Sequence, residues 1–445
     1  MTIKVGVVSL GCAKNLVDSE VMLGILDKAN YAITGEEDQA EVLIVNTCGF
    51  IESAKQESIN TILALAEHKQ TGRCKVLILA GCLAQKYRDE LARELPEVDA
   101  IVGTGEVENI AGIVEAAMSG GEKVVKVDSP EYLYDHNSPR IRTTPGYSAY
   151  VKVADGCDNC CSYCVIPELR GSYRSRPLES IEAEVKSLVE QGVKEVLLIA
   201  QDTTRYGIDI YGQFKLSELV ERLSQIKDLH WIRLLYCYPT HFTEELISAM
   251  AKNPKVCKYL DIPLQHCDDE ILQAMNRRGK RQDILDLIAR LRKAMPDIVL
   301  RTSFIVGLPG ETEVKFQALL DFIAEVRFDR AGIFTYSREP GTPAAGMENQ
   351  VPDEVKEERY HRAMEALMQL SWEKNQARVG QTLEVLVEGK EENGHWFGRS
   401  QGDAPDIDGK VYFDGDNPGP GSFVQVRITE AYEYDLMGEV INEPS

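Results

Sequence analysis

The stretch Asp155-Gly156-Cys157-Asp158-Asn159-Cys160-Cys161-Ser162-Tyr163-Cys164-Val165-Ile166-Pro167 packs four of the chain's eleven cysteines into eight residues. Soft sulfur ligands gathered this tightly suit zinc or an iron–sulfur cluster. Two readings compete. As two Cys-x2-Cys pairs, Cys157/Cys160 and Cys161/Cys164, the stretch is a compact four-thiolate zinc knuckle. As Cys157-x3-Cys161-x2-Cys164 it is a three-thiolate loop, with Cys160 a bystander. The second is preferred, because the adjacent Cys160 and Cys161 are poorly placed to face one small metal centre. Three thiolates on a [4Fe–4S] cluster also leave one iron open to a further ligand, whereas a four-thiolate site is closed. Buried structural cysteines are common, but the Asp, Asn and Ser around these four belong to a polar loop.

Around this loop, apolar strand candidates alternate with helices. Tyr147–Val153, Glu195–Ala200, Trp231–Tyr236, Tyr259–Ile262, Val299–Ile305 and Ala331–Tyr336 read as strands. The helices between them are apolar at three-to-four spacing, as at Ile181, Val185, Leu188 and Val189. Six βα units are too few to close an eight-stranded barrel, so residues 146–375 are expected to form an open, partial one. The cysteine loop follows the first strand and therefore sits at the C-terminal mouth. Gln201-Asp202-Thr203, Pro263-Leu264-Gln265-His266, Gly307-Leu308-Pro309-Gly310-Glu311 and Ser337-Arg338 fall at the same rim. Gln265 and His266 are read as cavity lining, and Glu311 as either a site group or a helix-start residue. Cys237, Cys257 and Cys267 have no partner pattern and read as structural.

Residues 1–120 repeat the alternation, with strands at Ile3–Ser9, Glu41–Asn46, Lys75–Ala80 and Val98–Val102. A parallel, doubly wound sheet follows. Cys12, Cys48 and Cys82 each come just after one of the first three strands, each beside a glycine. Their separations of 36 and 34 residues should therefore collapse to one site at the carboxyl edge, where open α/β sheets bind ligands. Cys74 precedes its strand and is excluded. Residues 121–145, with Gly121, Pro130, Pro139 and Pro145, read as a linker. Pro352 to Asn375 reads as a helix with Ala363, Leu367 and Leu370 on one face. Over 376–445, Thr382–Val387, Trp396–Ser400, Lys410–Phe413, Phe423–Ala431 and Met437–Val440 alternate as short strands, and a small antiparallel β-barrel is expected.

Composition bounds the partners. At 445 residues the chain has room for several domains, and its 44% hydrophobic and 27% charged content is ordinary for a globular protein. No apolar run reaches the roughly 18 residues of a membrane-spanning helix. Met1-Thr2-Ile3-Lys4-Val5 leads straight into a strand pattern and does not read as a signal peptide. Clustered, odd-numbered cysteines fit thiolate ligands in a reducing cytoplasm better than disulfides. A net charge of −22 disfavours nonspecific nucleic-acid binding and favours a basic partner. From Val379 onward there are fourteen acidic and four basic residues, the wrong sign for gripping phosphate. These carboxylates, among them Asp406, Asp408, Asp414 and Asp416, are either a solvated surface or a docking face for a basic protein. Arg277, Arg278, Lys280 and Arg281 keep a local RNA contact open.

The cysteine loop, with Tyr163 before its last cysteine, resembles the radical S-adenosylmethionine (radical SAM) signature. The resemblance implies a [4Fe–4S] cluster on Cys157, Cys161 and Cys164, whose open iron binds the amino and carboxylate groups of SAM. Ile305-Val306-Gly307 resembles the family's segment beside the adenine, where a glycine lets a base approach closely. Tyr163, Gln201, Asp202, Gln265, Ile305 and Gly307 are the candidate SAM and cavity residues. Ser9–Glu20 (SLGCAKNLVDSE) and Asn46–Ala54 (NTCGFIESA) resemble the methylthiotransferase family, which implies an auxiliary [4Fe–4S] cluster on Cys12, Cys48 and Cys82. The C-terminal pattern resembles the TRAM domain, which grips macromolecular substrates, often RNA. One branch of the family acts on adenosine in transfer RNA, the other on an aspartate of the small-subunit ribosomal protein numbered twelve. Ser9–Asn15, Cys48–Ala54 and Ala200–Gly207 look like the ribosomal branch. The expectation is β-methylthiolation of that aspartate, with an external electron donor and sulfur source. Transfer RNA is the alternative substrate, and a zinc-stabilised binding module the different-class reading.

Overall fold

The computed structural model describes residues 2–415 and 418–441. Its first sheet has six parallel strands: β1 (Lys4–Ser9), β2 (Ala32–Ile33), β3 (Val42–Thr47), β4 (Val76–Gly81), β5 (Ala100–Val102) and β6 (Val124–Lys126), in the order β2-β1-β3-β4-β5-β6. Strands β3, β4 and β5 are buried along their whole length, which is why they read as nearly unbroken Val/Ile/Leu/Ala runs. The register pairs Ser9 with Asn46, Asn46 with Ala80 and Thr47 with Gly81. The three strand ends are level, so Cys12, Cys48 and Cys82 leave the sheet at one edge.

Two strands of this sheet escaped the sequence pattern. The short β2 is one, and β6 is the other, lying inside the expected 121–145 linker and pairing with β5. The rest of that segment is clamped rather than loose. The fully buried Glu20, on the helix Ala13–Lys28, accepts from Arg140 Nε at 2.8 Å and from the backbone N–H of Thr143 at 2.7 Å. A Cβ at Gly24 would sit 2.4 Å from the carbonyl carbon of Pro139, so the glycine lets this segment lie against the helix.

The second sheet is open and wholly parallel. Its strands are β7 (Ser148–Lys152), β10 (Glu195–Ile199), β11 (Trp231–Leu234), β12 (Val256–Asp261), β13 (Val299–Val306) and β14 (Arg330–Thr335), in the order β14-β13-β12-β11-β10-β7. A two-stranded antiparallel pair, β8 (Ala154–Asp155) and β9 (Arg174–Ser175), brackets the cysteine loop. Strand alternation splits the core. Val151, Val196, Leu198, Ile232 and Leu234 pack with the surrounding helices. Tyr150, Leu197, Ile199, Trp231 and Tyr259 face the other way, into a core shared with Val17 and Val21 of the first domain and Leu386 and Ala404 of the last.

The helix Asp353–Gln376 buries Ala363, Leu367 and Leu370 and leads into β15 (Thr382–Lys390), β16 (Trp396–Ser400), β17 (Val411–Asp414), β18 (Phe423–Ala431) and β19 (Leu436–Val440). They close into a barrel, β15-β16-β17-β19-β18. The barrel departs from the expected all-antiparallel arrangement in one pairing, β17 with β19, which is parallel.

The C-terminal barrel is fastened by buried charge. Glu195 is fully buried and accepts from Arg233 Nε at 3.0 Å and from Arg399 Nη2 at 2.7 Å. Arg330 donates to Asp403 at 2.9 Å, and the Tyr259 hydroxyl donates to Asp408 at 2.6 Å. The expected acidic docking face is corrected accordingly. Asp408 is an internal anchor, Asp414 pairs with His395 at 2.7 Å, and Asp416 lies outside the described residues. Asp406, Glu392, Glu433 and Glu439 remain exposed.

Burial alone would raise the Glu195 carboxyl, but the Arg399 and Arg233 guanidinia pull it down from 4.5 to about 2. A carboxylate lowered on folding stabilises above its ordinary pKa, and that contribution is lost as pH falls through the folded value. Replacing Glu195 by Gln leaves two buried guanidinia without their anion and is expected to cost about 3–5 kcal/mol at pH 7. In denaturant titrations the gap between wild type and Glu195→Gln should be full above pH 4.5 and close as pH approaches 2.

Candidate active site at the facing edges of the two sheets

In the first domain the glycine beside each cysteine has a steric reason. A Cβ on Gly11 would lie 2.7 Å from Cys48 Cβ and 3.1 Å from Cys48 Sγ. On Gly49 it would lie 2.9 Å from the backbone of Leu83 and 3.1 Å from the carbonyl carbon of Cys82. Gly81 has a φ of +94°, and its Cβ would strike Asn46 Oδ1 at 2.2 Å. The three loops therefore press together backbone to backbone. Asn15, one helical turn after Cys12, donates to the Thr47 carbonyl at 2.8 Å and to Leu10 at 3.1 Å, and Cys82 Sγ faces its Oδ1 at 3.7 Å. The thiols sense one another. Burial pushes Cys48 up to about 12, and the charges of Cys82 and Cys12 add to the rise. Cys12 moves the other way: burial opposes ionisation, but Lys14 and Arg170 bring the thiol below its ordinary value.

The second cysteine set is shaped by one left-handed residue. Cys160 has a φ of +50°, is exposed, and its carbonyl accepts from Asn276 Nδ2 at 2.9 Å. This turn sends Cys160 outward while Cys161 is buried, with Cys157 and Cys164 half-buried beside it. Burial raises Cys157 to about 11 and Cys164 to about 12, and the charge of Cys161 raises both further. Cys164 Sγ accepts from the Ile166 N–H at 3.4 Å, and Arg277 Nη1 lies 3.6 Å from Cys161 Sγ. Donors aimed at sulfur are the usual surroundings of a thiolate-held cluster, and metal coordination deprotonates thiols that burial alone keeps protonated. Among the described residues no three His, Cys, Asp or Glu groups are drawn together at single-ion spacing. With Cys160 turned out to solvent, the four cysteines do not make a four-thiolate zinc knuckle.

The other sequence candidates have mixed fates. The Tyr163 hydroxyl accepts from Arg277 at 3.1 Å, and Ile305 packs beside Tyr163. Gln201 donates to Asp155 at 2.7 Å and leaves its buried Oε1 without a partner, an acceptor free for a ligand. Gln265 holds a φ of +73°, with Cys160 and Tyr236 (φ +59°) also left-handed at this mouth. Non-glycine residues in this region cost about 1–3 kcal/mol and gather at functional sites. Asp202 is not a free carboxylate: Asn159 donates to its Oδ2 at 2.9 Å and Thr204 to its Oδ1 at 2.8 Å, so it holds the cysteine loop. At Gly307 (φ +78°) an added Cβ would sit 2.2 Å from Lys356 Cγ, so this glycine lets a lysine stem pass close by. His266 and Glu311 are an internal brace. His266 Nε2 lies 3.4 Å from Glu311, which also accepts from Arg359 at 2.8 Å, while Thr312 caps the following helix.

Residues 4–103 match an uncharacterized protein family, UPF0004, residues 151–323 the radical SAM superfamily, and residues 379–441 the TRAM domain. The chain is 57% identical over 439 residues to the ribosomal protein uS12 methylthiotransferase RimO of Desulforamulus reducens, covering 98% of this chain and 99% of that one. Identity to the RimO of Clostridioides difficile is 50% over 442 residues, with 99% of each chain covered. The chain belongs to the uS12 methylthiotransferase family. Among solved structures, the radical SAM methyltransferase TsrM from Kitasatospora setae, holding cobalamin and a [4Fe–4S] cluster, shares the fold: TM-score 0.56, 17% identity, 77% of each chain covered.

For this member of the family, the sequence reading missed what joins the two cysteine sets. Lys152 donates to Asp18 and, at 2.8 Å, to Asp155. Arg170 donates to Asp18, to Asp155 at 3.3 Å and to Asn15 Oδ1. All four charges are buried. Asp18 and Asn15 come from the helix after Cys12, the others from the strand and loops around Cys157–Cys164. Beside them Cys82 packs in a small apolar cluster with Val165 and Leu169, just past Cys164. Lys55 closes the rim on Glu339 at 3.1 Å. A lysine inside the apolar strand Tyr147–Val153 was the available signal; its partners lie too far away in sequence to be named.

Cys160→Ala is expected to keep the full iron content and visible absorbance of the anaerobically reconstituted protein, and Cys161→Ala to lose about half of each. Equal loss in both would overturn the reading of the loop.

Proposed function

We infer that this chain is a radical SAM methylthiotransferase that places a methylthio group on the β-carbon of an aspartate in ribosomal protein uS12. The observation that carries the reading is the meeting of two three-cysteine sets across one buried charge quartet, in a chain 57% identical to a uS12 methylthiotransferase over nearly its full length. Cys157, Cys161 and Cys164 are assigned to one [4Fe–4S] cluster and Cys12, Cys48 and Cys82 to a second. When bound, the clusters and SAM supply the electron, the hydrogen abstraction, the sulfur and the methyl group.

The chain's own residues do the rest. Gln201 offers its unpartnered Oε1 to a ligand while its amide is held by Asp155. Arg277 and Tyr163 brace the cysteine loop from the side of Cys161. Tyr150, Leu197, Ile199, Trp231 and Tyr259 line the inward face of the partial barrel beside the buried charges of Lys152, Glu195, Arg233 and Asp261, and shield them from water. Electrons and sulfur come from outside the chain. No helix of the described residues is long and apolar enough to cross a membrane, and a ribosomal substrate supports a cytoplasmic location. A basic protein meets a chain of net charge −22 favourably, whereas RNA phosphate does not.

Three-fold replacement of Cys12, Cys48 and Cys82 by alanine is expected to leave SAM cleavage detectable while abolishing the methylthio product, read by mass spectrometry of uS12. An enzyme loaded with both clusters that modified transfer RNA and ignored uS12 would overturn the substrate reading. Reversing the exposed Glu392, Glu433 and Glu439 to lysine is expected to weaken uS12 binding by about tenfold at low salt, mainly through a slower on-rate, with the effect shrinking as salt is added.

A further inference from the structure

Of the ten lysines and arginines buried as whole residues among the described residues, eight lie against a carboxylate. The two that do not are Lys14 and Arg277, and each stands beside one of the cysteine sets. Arg277 is satisfied by neutral acceptors, the Tyr163 hydroxyl at 3.1 Å and the Pro263 carbonyl at 2.6 Å. Lys14 is not. It is 6% exposed, and its ammonium rests 3.2 Å over the centroid of the Tyr236 ring. An aromatic face holds a cation in place without neutralising it.

The ring is itself fixed. Tyr236 stands just past β11 in left-handed backbone, with its N–H donating to Asp261 at 3.0 Å and its carbonyl accepting from Thr203 at 3.0 Å. Lys14 is two residues past Cys12 and reaches from the first domain to the mouth of the second. Its charge therefore lies between the first cysteine set and the barrel mouth. The nearby cations Lys152 and Arg170 are already committed to Asp18 and Asp155.

A substrate aspartate modified at its β-carbon must bring the attached carboxylate into this water-poor space. A buried carboxylate without a cation beside it is costly. Lys14 is the buried lysine here that no carboxylate of the chain has claimed. We propose that Lys14 binds the side-chain carboxylate of the substrate aspartate and so sets the enzyme's preference for that residue. The proposal rests on the uS12 reading above. A neutral side chain of the same shape would give up the ion pair with Lys14, and sites built around a polar partner reject the analogue lacking it strongly.

The test is binding, not turnover. Intact uS12 and uS12 with the modified aspartate changed to asparagine are titrated into the cluster-loaded enzyme. Wild type is expected to prefer the aspartate form by at least about tenfold, the scale of a charge-assisted contact. Lys14→Met, which keeps the stem's packing, should bind both forms alike, and Lys14→Arg should keep the preference. A Lys14→Met enzyme that still discriminates tenfold overturns the proposal, as does a folded Lys14→Arg enzyme that does not discriminate. The second outcome decides the matter if Lys14→Met fails to fold. A wild type that neither binds nor modifies uS12 would instead bring down the functional reading itself.

Discussion

Asp18, Lys152, Asp155 and Arg170 form a neutral, buried quartet on which the geometry of the whole site depends. Buried ion pairs add little net stability, yet removing one member strands its partners in a medium that cannot solvate them. Such a group therefore works by fixing position. Two of these residues flank the Cys157–Cys164 loop and one follows Cys12 on its helix. Any slip of one domain against the other would separate opposite charges in low dielectric. The cysteine sets are held face to face by that penalty, with Cys82, Val165 and Leu169 filling the apolar space beside the charges.

Glycines carry the same logic into the first set. Gly11, Gly49 and Gly81 are where neighbouring loops approach to distances that no Cβ allows. A thiol on each loop then comes near the other two because the strand ends are level and the backbones can touch. In the second set the reverse device operates. A single non-glycine residue in left-handed backbone, Cys160, turns one thiol out to solvent while Cys161 stays buried.

The C-terminal barrel shows how net charge misleads when read as surface. Asp403 and Asp408 face Arg330, Tyr259 and Arg301, and Arg399 reaches Glu195 at the start of β10. These groups weld the barrel to the open side of the partial barrel and complete its inner core. The remaining exposed carboxylates are fewer than the sequence count implies, but they are the ones a basic partner would meet.

The sequence by itself determined the layer order, the six βα units of the partial barrel and the resemblance that the family membership later bore out. Periodicity and spacing are local, and strands buried on both faces announce themselves as apolar runs, so these features were legible. It missed β2, β6, β8 and β9, which are too short to show a period, and it did not show that Asp202 also holds the cysteine loop or that a lysine stem passes Gly307. Only the tertiary structure decided which charges meet. Asp18 and Arg170 are 152 residues apart, and Glu195 and Arg399 are 204 apart. No sequence pattern encodes a pairing at that range, because it exists only after two domains have closed around it and excluded the water that would otherwise have solvated each charge alone.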